Sequence, residues 1–205
     1  MSISSAVRPR TRDRERSGTS SKPPADDAAD VAAWAAGDRE AFARLYHRHV
    51  NPVYRYCHRR LGSREAAEDA TALVFAKVLT ALPTYRDGPF RSWLFTIAHN
   101  VVTDQFRTVK PTMPIETAPD IVDSSPSPED QVLAAEEGRW LRGLLDQLPA
   151  DQRRVVELHL SGLTNPEIAH VLGRNHAAVR STQSRAVARL RTLLGIPTGK
   201  EASDA

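Results

Sequence analysis

Cysteine is nearly absent from this chain. Cys57 is the single copy in 205 residues, which excludes an internal disulfide framework and fits a reducing compartment. No apolar run approaches the roughly 20 residues that a membrane span requires. The N-terminal stretch has no apolar signal core. No segment keeps up the two-residue alternation of a half-buried strand. A Gly-rich phosphate loop and a nucleophile elbow are both missing. His47, His49, Cys57 and His58 lie close in sequence, yet His47 and His49 are two apart and do not share a helix face. There is no Cys-x-x-Cys or His-x-x-x-His spacing. Neither a metal site, a cofactor nor catalysis is expected. An excess of one charge is also lacking, with 28 Lys+Arg against 25 Asp+Glu. Where the charge sits therefore matters more than its total.

What remains is helical punctuation. Pro and Gly fall between segments of helical apolar period, so the predicted fold is all-α. Residues 1–25 are Arg, Ser, Pro and Thr with little apolar content and are expected to be a disordered tail. From 26 to 110 the pattern predicts a first helical domain. "DDAADVAAWAAG" stops at Gly37. "DREAFARLYHRHV" follows, and Asn51-Pro52 is expected to cap and restart a helix that ends near Gly62. Ser63 caps the next, with Ala66, Ala70, Leu73, Val74, Lys77, Val78 and Ala81 on one face and Pro83 as the stop. "PTYRDGP" reads as a loop and "FRSWLFTIAHNVVTDQFRTVK" as one more helix, closed by Pro111. Residues 111–127, rich in Pro, Ser and acid, read as a flexible linker. Ser127-Pro128 opens a second domain over 128–195, with helices through Gln147 and at about 150–160, 165–172 and 176–194. Residues 196–205 form a tail.

The stretch "LTNPEIAHVLGRNHAAVRSTQSRA", 163–186, has the grammar of a helix-turn-helix. Thr164 and Glu167 form a capping box with Pro166 in the first turn. Gly173 is the turn residue and Asn175 can cap the longer helix. Val179, Ala186 and Leu190 lie inward, with Leu193 and Leu194 below. Seven arginines stand against three acids over 151–191, whereas the linker carries Glu116, Asp120 and Asp123 and no base. Basic charge thus gathers on the module that would dock on phosphates.

Both halves resemble the extracytoplasmic-function sigma factors of the sigma-70 family of bacterial RNA polymerase. The stretch from "DREAFARLYHRHV" to "AKVLTAL" looks like the first part of sigma domain 2. "PFRSWLFTIAHNVVTDQFR" looks like its promoter-melting and minus-ten-reading segment, through Trp93-Leu94, Ile97-Ala98-His99-Asn100 and Asp104-Gln105-Phe106-Arg107. "LDQLPADQRRVVELHLSGLTNPEIAHVLGRNHAAVRSTQSRAVARL" looks like sigma domain 4, with its Leu-Pro-x-x-x-Arg element at Leu148 to Arg153.

The resemblance implies a protein that binds core RNA polymerase and promoter DNA and has no chemistry of its own. Domain 2 would bind the clamp helices of the largest subunit through Glu68, Asp69, Leu73, Phe75 and Lys77. It would read and open the minus-ten element through Tyr85, Arg86, Arg91, Trp93, Asn100, Asp104 and Arg107. The loop Thr84 to Pro89 is where the family keeps a pocket for a flipped base. Asn100 and Asp104 are i and i+4, hence on one helix face, and Asn carries the donor-acceptor pair that reads base edges. Arg91 could instead be a solvated surface charge, and Trp93 or Phe95 core. Domain 4 would bind the flap and read the minus-thirty-five element through Arg174, His176, Arg180, Ser181, Ser184 and Arg185. The linker would run toward the active-site cleft and RNA exit path. An anti-sigma partner is implied, a homo-oligomer is not, and the place is the cytoplasm, at the nucleoid.

The sequence departs from the family where Ala72 and Leu73 replace a Gln-Glu pair, where Thr182 and Val187 replace basic residues, and at Pro166. The second half alone would also suit a regulator that binds duplex DNA without polymerase.

Overall fold

The computed structural model describes residues 25–86, 88–108 and 128–196. Eight α-helices make up the described residues, with no strand among them. The N-terminal unit holds α1 (Ala25–Ala35), α2 (Arg39–Leu61), α3 (Arg64–Ala81), a 3-10 turn (Leu82–Thr84) and α4 (Phe90–Thr108). The C-terminal unit holds α5 (Pro128–Asp146), α6 (Ala150–Leu160), α7 (Asn165–Leu172) and α8 (His176–Leu193). Residues 1–24, 87, 109–127 and 197–205 lie outside the described residues, and with them the expected linker 111–127 and nearly all of the expected tails 1–25 and 196–205.

Local chemistry explains most boundaries. The Asp38 carboxylate caps α2 at Glu40 N–H, and Gly62 ends that helix. The Ser63 side chain accepts from Ala66 N–H to open α3. Asn175 Oδ1 accepts from Ala178 N–H at 2.7 Å and opens α8. The Glu167 carboxylate reaches back to accept from the Thr164 N–H and hydroxyl, both at 2.7 Å. Each cap satisfies helix-end groups that would otherwise lack partners. Gly173, at φ 61, supplies the left-handed turn between α7 and α8.

Three expectations fail. Asn51-Pro52 does not start a helix, because α2 runs through Pro52 without a break. Pro52 has no N–H for the Arg48 carbonyl, a loss of roughly 3 kcal/mol in a helix interior. The buried stripe Leu45, His49, Val53, Tyr56 and Cys57 spans the proline, and packing along it outweighs the missing bond. On α3 the buried stripe is Ala67, Ala70, Thr71, Val74, Phe75 and Val78. Leu73 and Lys77 therefore face out, one position round from the predicted face. On α8, Thr182 takes a core place beside Val179 and Ala186, while Leu193 and Leu194 are exposed because nothing described packs over the helix end.

The two units share a packed boundary. The apolar cluster continues from Leu45, Val53, Phe95 and Val101 into Val155, Leu158, Ile168 and Val179. α4 lies on α7, and α2 touches α6.

Candidate nucleic-acid interface

On α4, Phe95 is wholly buried against Tyr56. Trp93 is half-buried, its ring 4.9 Å from Tyr85 and 5.6 Å from Phe90. Asn100 and Asp104 are exposed one turn apart. Between α3 and α4 a cleft of about 470 Å³ is lined by Ala76, Lys77, Thr80, Ala81, Ile97 and Asn100. Lys77, expected to face polymerase, thus shares a cleft with Asn100, expected to face DNA. The Tyr85 hydroxyl donates to the Gly88 carbonyl at 2.5 Å, which shapes the loop, and Arg86 is exposed on it. Tyr85 also lines a second cleft of about 400 Å³ with Trp34, Arg39 and Leu82. The Arg107 side chain lies outside the described residues.

Arg91 leaves this group. It points to the opposite flank of α4, where its Nη2 donates to the Ser161 carbonyl at 2.6 Å. Gly162 beside it has φ +84, and a Cβ there would collide with Arg91 Nη2. Arg91 could swing aside, so it is the left-handed backbone at Gly162 that favours glycine here.

The expected polymerase-facing residues divide in the same way. Glu68, Asp69 and Leu73 form an exposed face of α3, with Leu73 43% exposed and Glu68 held by Arg64 Nε at 2.8 Å. Phe75 is not on that face. Its ring is buried, 4.8 Å from the Tyr46 ring.

α8 offers its outer side without obstruction. Arg180, Ser181, Ser184 and Arg185 are exposed, and a groove of about 320 Å³ is lined by Arg180, Gln183, Ser184, Val187, Ala188 and Arg191. Arg185 Nη2 donates to Thr182 Oγ1 at 3.3 Å. His176 is exposed at the helix start. Arg174 is tied to Asp151 by a two-point ion pair at 2.5 and 2.7 Å. That contact raises the Arg174 pKa and lowers that of Asp151. Gln183 escaped the sequence reading and Arg191 entered it only as basic charge, although both recur at helical spacing with Arg180 and Ser184.

Two other residues that it missed are Arg59 and Arg60, in the run "HRRLGS" at the end of α2. Arg59 Nη2 donates to Ser161 Oγ at 2.6 Å. Arg60 Nη1 donates to Glu157 Oε2 at 3.1 Å, and its guanidinium lies 5.1 Å from the Phe106 ring centre. Burial lowers the Arg59 pKa. Nearby, the Tyr56 hydroxyl is 3.0 Å from His99 Nδ1. Burial, with the fields of Arg60 and Arg154, lowers His99 to about 4. Burial also pushes the Tyr56 pKa up, so the phenol keeps its proton beside the neutral imidazole.

Of the residues weighed for metal, His49 is buried with Nε2 3.0 Å from both Asp27 oxygens, and Cys57 is buried with its thiol pushed up to about 11 by desolvation. No group of three or more His, Cys, Asp or Glu among the described residues is placed to hold a metal.

Residues 45–112 match the family described as sigma-70 region 2, and residues 138–190 match sigma-70 region 4. The chain is similar to the ECF RNA polymerase sigma factor BldN of Streptomyces coelicolor, 36% identical over 165 residues, covering 78% of this chain and 62% of that protein. It is also similar to the ECF RNA polymerase sigma factor ShbA of Streptomyces griseus, 36% identical over 171 residues, covering 77% of this chain and 89% of that one. Among solved structures, that of CnrH in complex with the cytosolic domain of CnrY is 27% identical, with a TM-score of 0.66 over 84% of this chain and 99% of that chain. The sigma factor RpoE, solved with the anti-sigma factor NepR from Bartonella quintana, is 20% identical with a TM-score of 0.57 over 77% and 98%. At that identity the likeness is one of fold.

Proposed function

Because the chain belongs to the extracytoplasmic-function sigma factors of the sigma-70 family, the initiation factors that give RNA polymerase its promoter specificity, we propose a division of labour between its two units. Residues 26–110 act as sigma domain 2, 111–127 as the linker and 128–195 as sigma domain 4. The observation that carries this is a pair of exposed polar arrays on separate units: Asn100 and Asp104 beside the Lys77 cleft, and Arg180, Ser181, Ser184 and Arg185 on the open side of α8.

Melted DNA presents unstacked bases, and an aromatic platform holds each with roughly 1–3 kcal/mol. Tyr85 and Trp93 form such a platform next to the loop, with Arg86 at hand for phosphate. Asn100 and Asp104 read base edges of the minus-ten strand. Arg107 takes a backbone phosphate, and Arg91 does so once it is released from the Ser161 carbonyl. The exposed face Glu68, Asp69 and Leu73, with Lys77, meets the polymerase clamp. Phe75 supports that face from beneath. α8 enters the minus-thirty-five major groove by its first turns, His176 to Arg185, with Arg174 at the rim.

The protein works as an initiation factor, without catalysis of its own. No described helix is long and apolar enough to cross a membrane, and we place the protein in the cytoplasm, at the nucleoid. An anti-sigma protein is its expected regulator, as the family resemblance implies.

The test is reconstitution of the full chain with bacterial core polymerase on a promoter library randomised at both elements. Arg180→Ala should relax preference at one minus-thirty-five position, at a cost of roughly 1–3 kcal/mol if it grips guanine. Asn100→Ala should shift minus-ten preference and leave polymerase binding alone. Identical preferences for wild type and both variants would overturn the assignment. Failure to co-migrate with core polymerase would return the chain to the class of duplex-binding regulators.

A further inference from the structure

Arg59, Arg60 and Arg91, all from the N-terminal unit, converge on the last turn of α6. What they grip is an array of oxygens: the Glu157 carboxylate, the Ser161 hydroxyl and the Ser161 carbonyl. These sit at the negative end of a helix dipole. Glu157 is fully buried and divides its oxygens between Arg60 and its own helix neighbour Arg153, at 3.1 and 2.7 Å. One carboxylate thus serves guanidiniums from both units. The capacity left over is visible, because the buried Nε atoms of Arg59, Arg60 and Arg91 find no hydrogen-bond partner among the described residues. A buried donor without a partner is destabilising.

Guanidinium forks bind phosphate oxygens by the same hydrogen bonds. Arg91 stands at the start of α4, and Arg60 lies over Phe106 near its end. The cluster therefore flanks the helix that carries Asn100 and Asp104. We propose that the C-terminal turn of α6, with Glu157, is an internal stand-in for nucleic-acid phosphate. It occupies a basic flank of the N-terminal unit, and the DNA backbone competes with it for Arg59, Arg60 and Arg91. The closed chain and the DNA-bound chain are then alternatives, and affinity for DNA is reduced by the fraction of chains that are open. This rests on the promoter-binding reading above.

The experiment titrates the full chain with a short fluorescein-labelled single-stranded DNA of mixed sequence, at two salt concentrations, and records small-angle X-ray scattering on the same samples. Glu157→Gln keeps the shape of the side chain and removes its charge. It should raise the radius of gyration and tighten DNA binding about ten-fold. Ser161→Ala removes the nearer acceptor of Arg59, keeps the Glu157 carbonyl at 3.5 Å, and leaves the Glu157–Arg153 pair in place. It should act in the same direction, more weakly, and it carries the test should Glu157→Gln lose helicity. Adding Arg59→Ala to either variant should cancel the gain, since a phosphate ligand is lost. An expanded chain that binds DNA no better than wild type overturns the stand-in. So does an unchanged radius of gyration in both variants. Absence of DNA binding by every variant overturns the promoter-binding reading along with it, and the polymerase reconstitution detects that failure separately.

Discussion

Two ionic clusters hold this molecule together, and they are built to opposite specifications. Between α1 and α2 the charges are matched. Arg48 spans Asp27 and Asp30 at 2.5 and 2.8 Å, Arg44 spans Asp30 and Asp38 at 2.7 and 3.0 Å, and His49 closes on Asp27. Burial works to raise the Asp27 pKa, but the His49 and Arg48 contacts outweigh it and hold it below the ordinary value. Between the two units, by contrast, guanidinium exceeds carboxylate and three Nε donors go unused among the described residues. A buried ion pair gains net stability only when its remaining hydrogen-bond groups are satisfied. The first cluster is a clamp. The second is a contact that an anion can replace.

The strongest way to break the comparison is to empty the clamp. Asp27→Ala leaves Arg48 with half its partners and His49 without its carboxylate, and should cost about 3–5 kcal/mol in denaturant unfolding. A loss under ~1 kcal/mol would put both clusters in one class.

Acid should come next and should separate the two clusters by pH. An unfolded histidine takes its proton near pH 6.5, but His99 in the fold does so only at about 4. Between those values the unfolded chain binds more protons, so stability falls as pH falls through the window. The protonated ring would also add a cation beside Arg60 and Arg154, at the unit boundary. Asp27, whose carboxyl is held below its ordinary value of 3.8, keeps the clamp intact across the same range. Melting temperature measured between pH 7.5 and 4 should decline from about pH 6.5 downward, and His99→Gln should flatten the decline.

The smallest effect sharpens the contrast. Arg60→Met keeps the apolar contact with Phe106 and removes one orphaned donor, while Glu157 retains Arg153. Stability should change by no more than ~1 kcal/mol, against the large loss from Asp27→Ala. Equal losses in equilibrium unfolding would show the boundary to be as tightly paired as the clamp.

The sequence by itself determined the helix-turn-helix, several caps and every helix but α2, which it split at Asn51-Pro52. Ser63, Asn175, Gly173 and the Thr164–Glu167 pair act on backbone groups within a few residues, so the chain spells them out locally. The family likeness was legible for the same reason, since its motifs are short and contiguous. Which side of each helix is buried depended on the partner helices. That is why Pro52 sits inside α2, Phe75 lies under the α3 face rather than on it, and Leu193 and Leu194 stay in solvent. The meeting of Arg59 and Arg60 with Glu157 spans almost one hundred residues of chain. No local pattern encodes such a pairing, because it arises only when α4 packs on α7 and brings the last turn of α6 onto the end of α2. Tertiary packing alone decided where those arginines point, and therefore what DNA must displace to reach them.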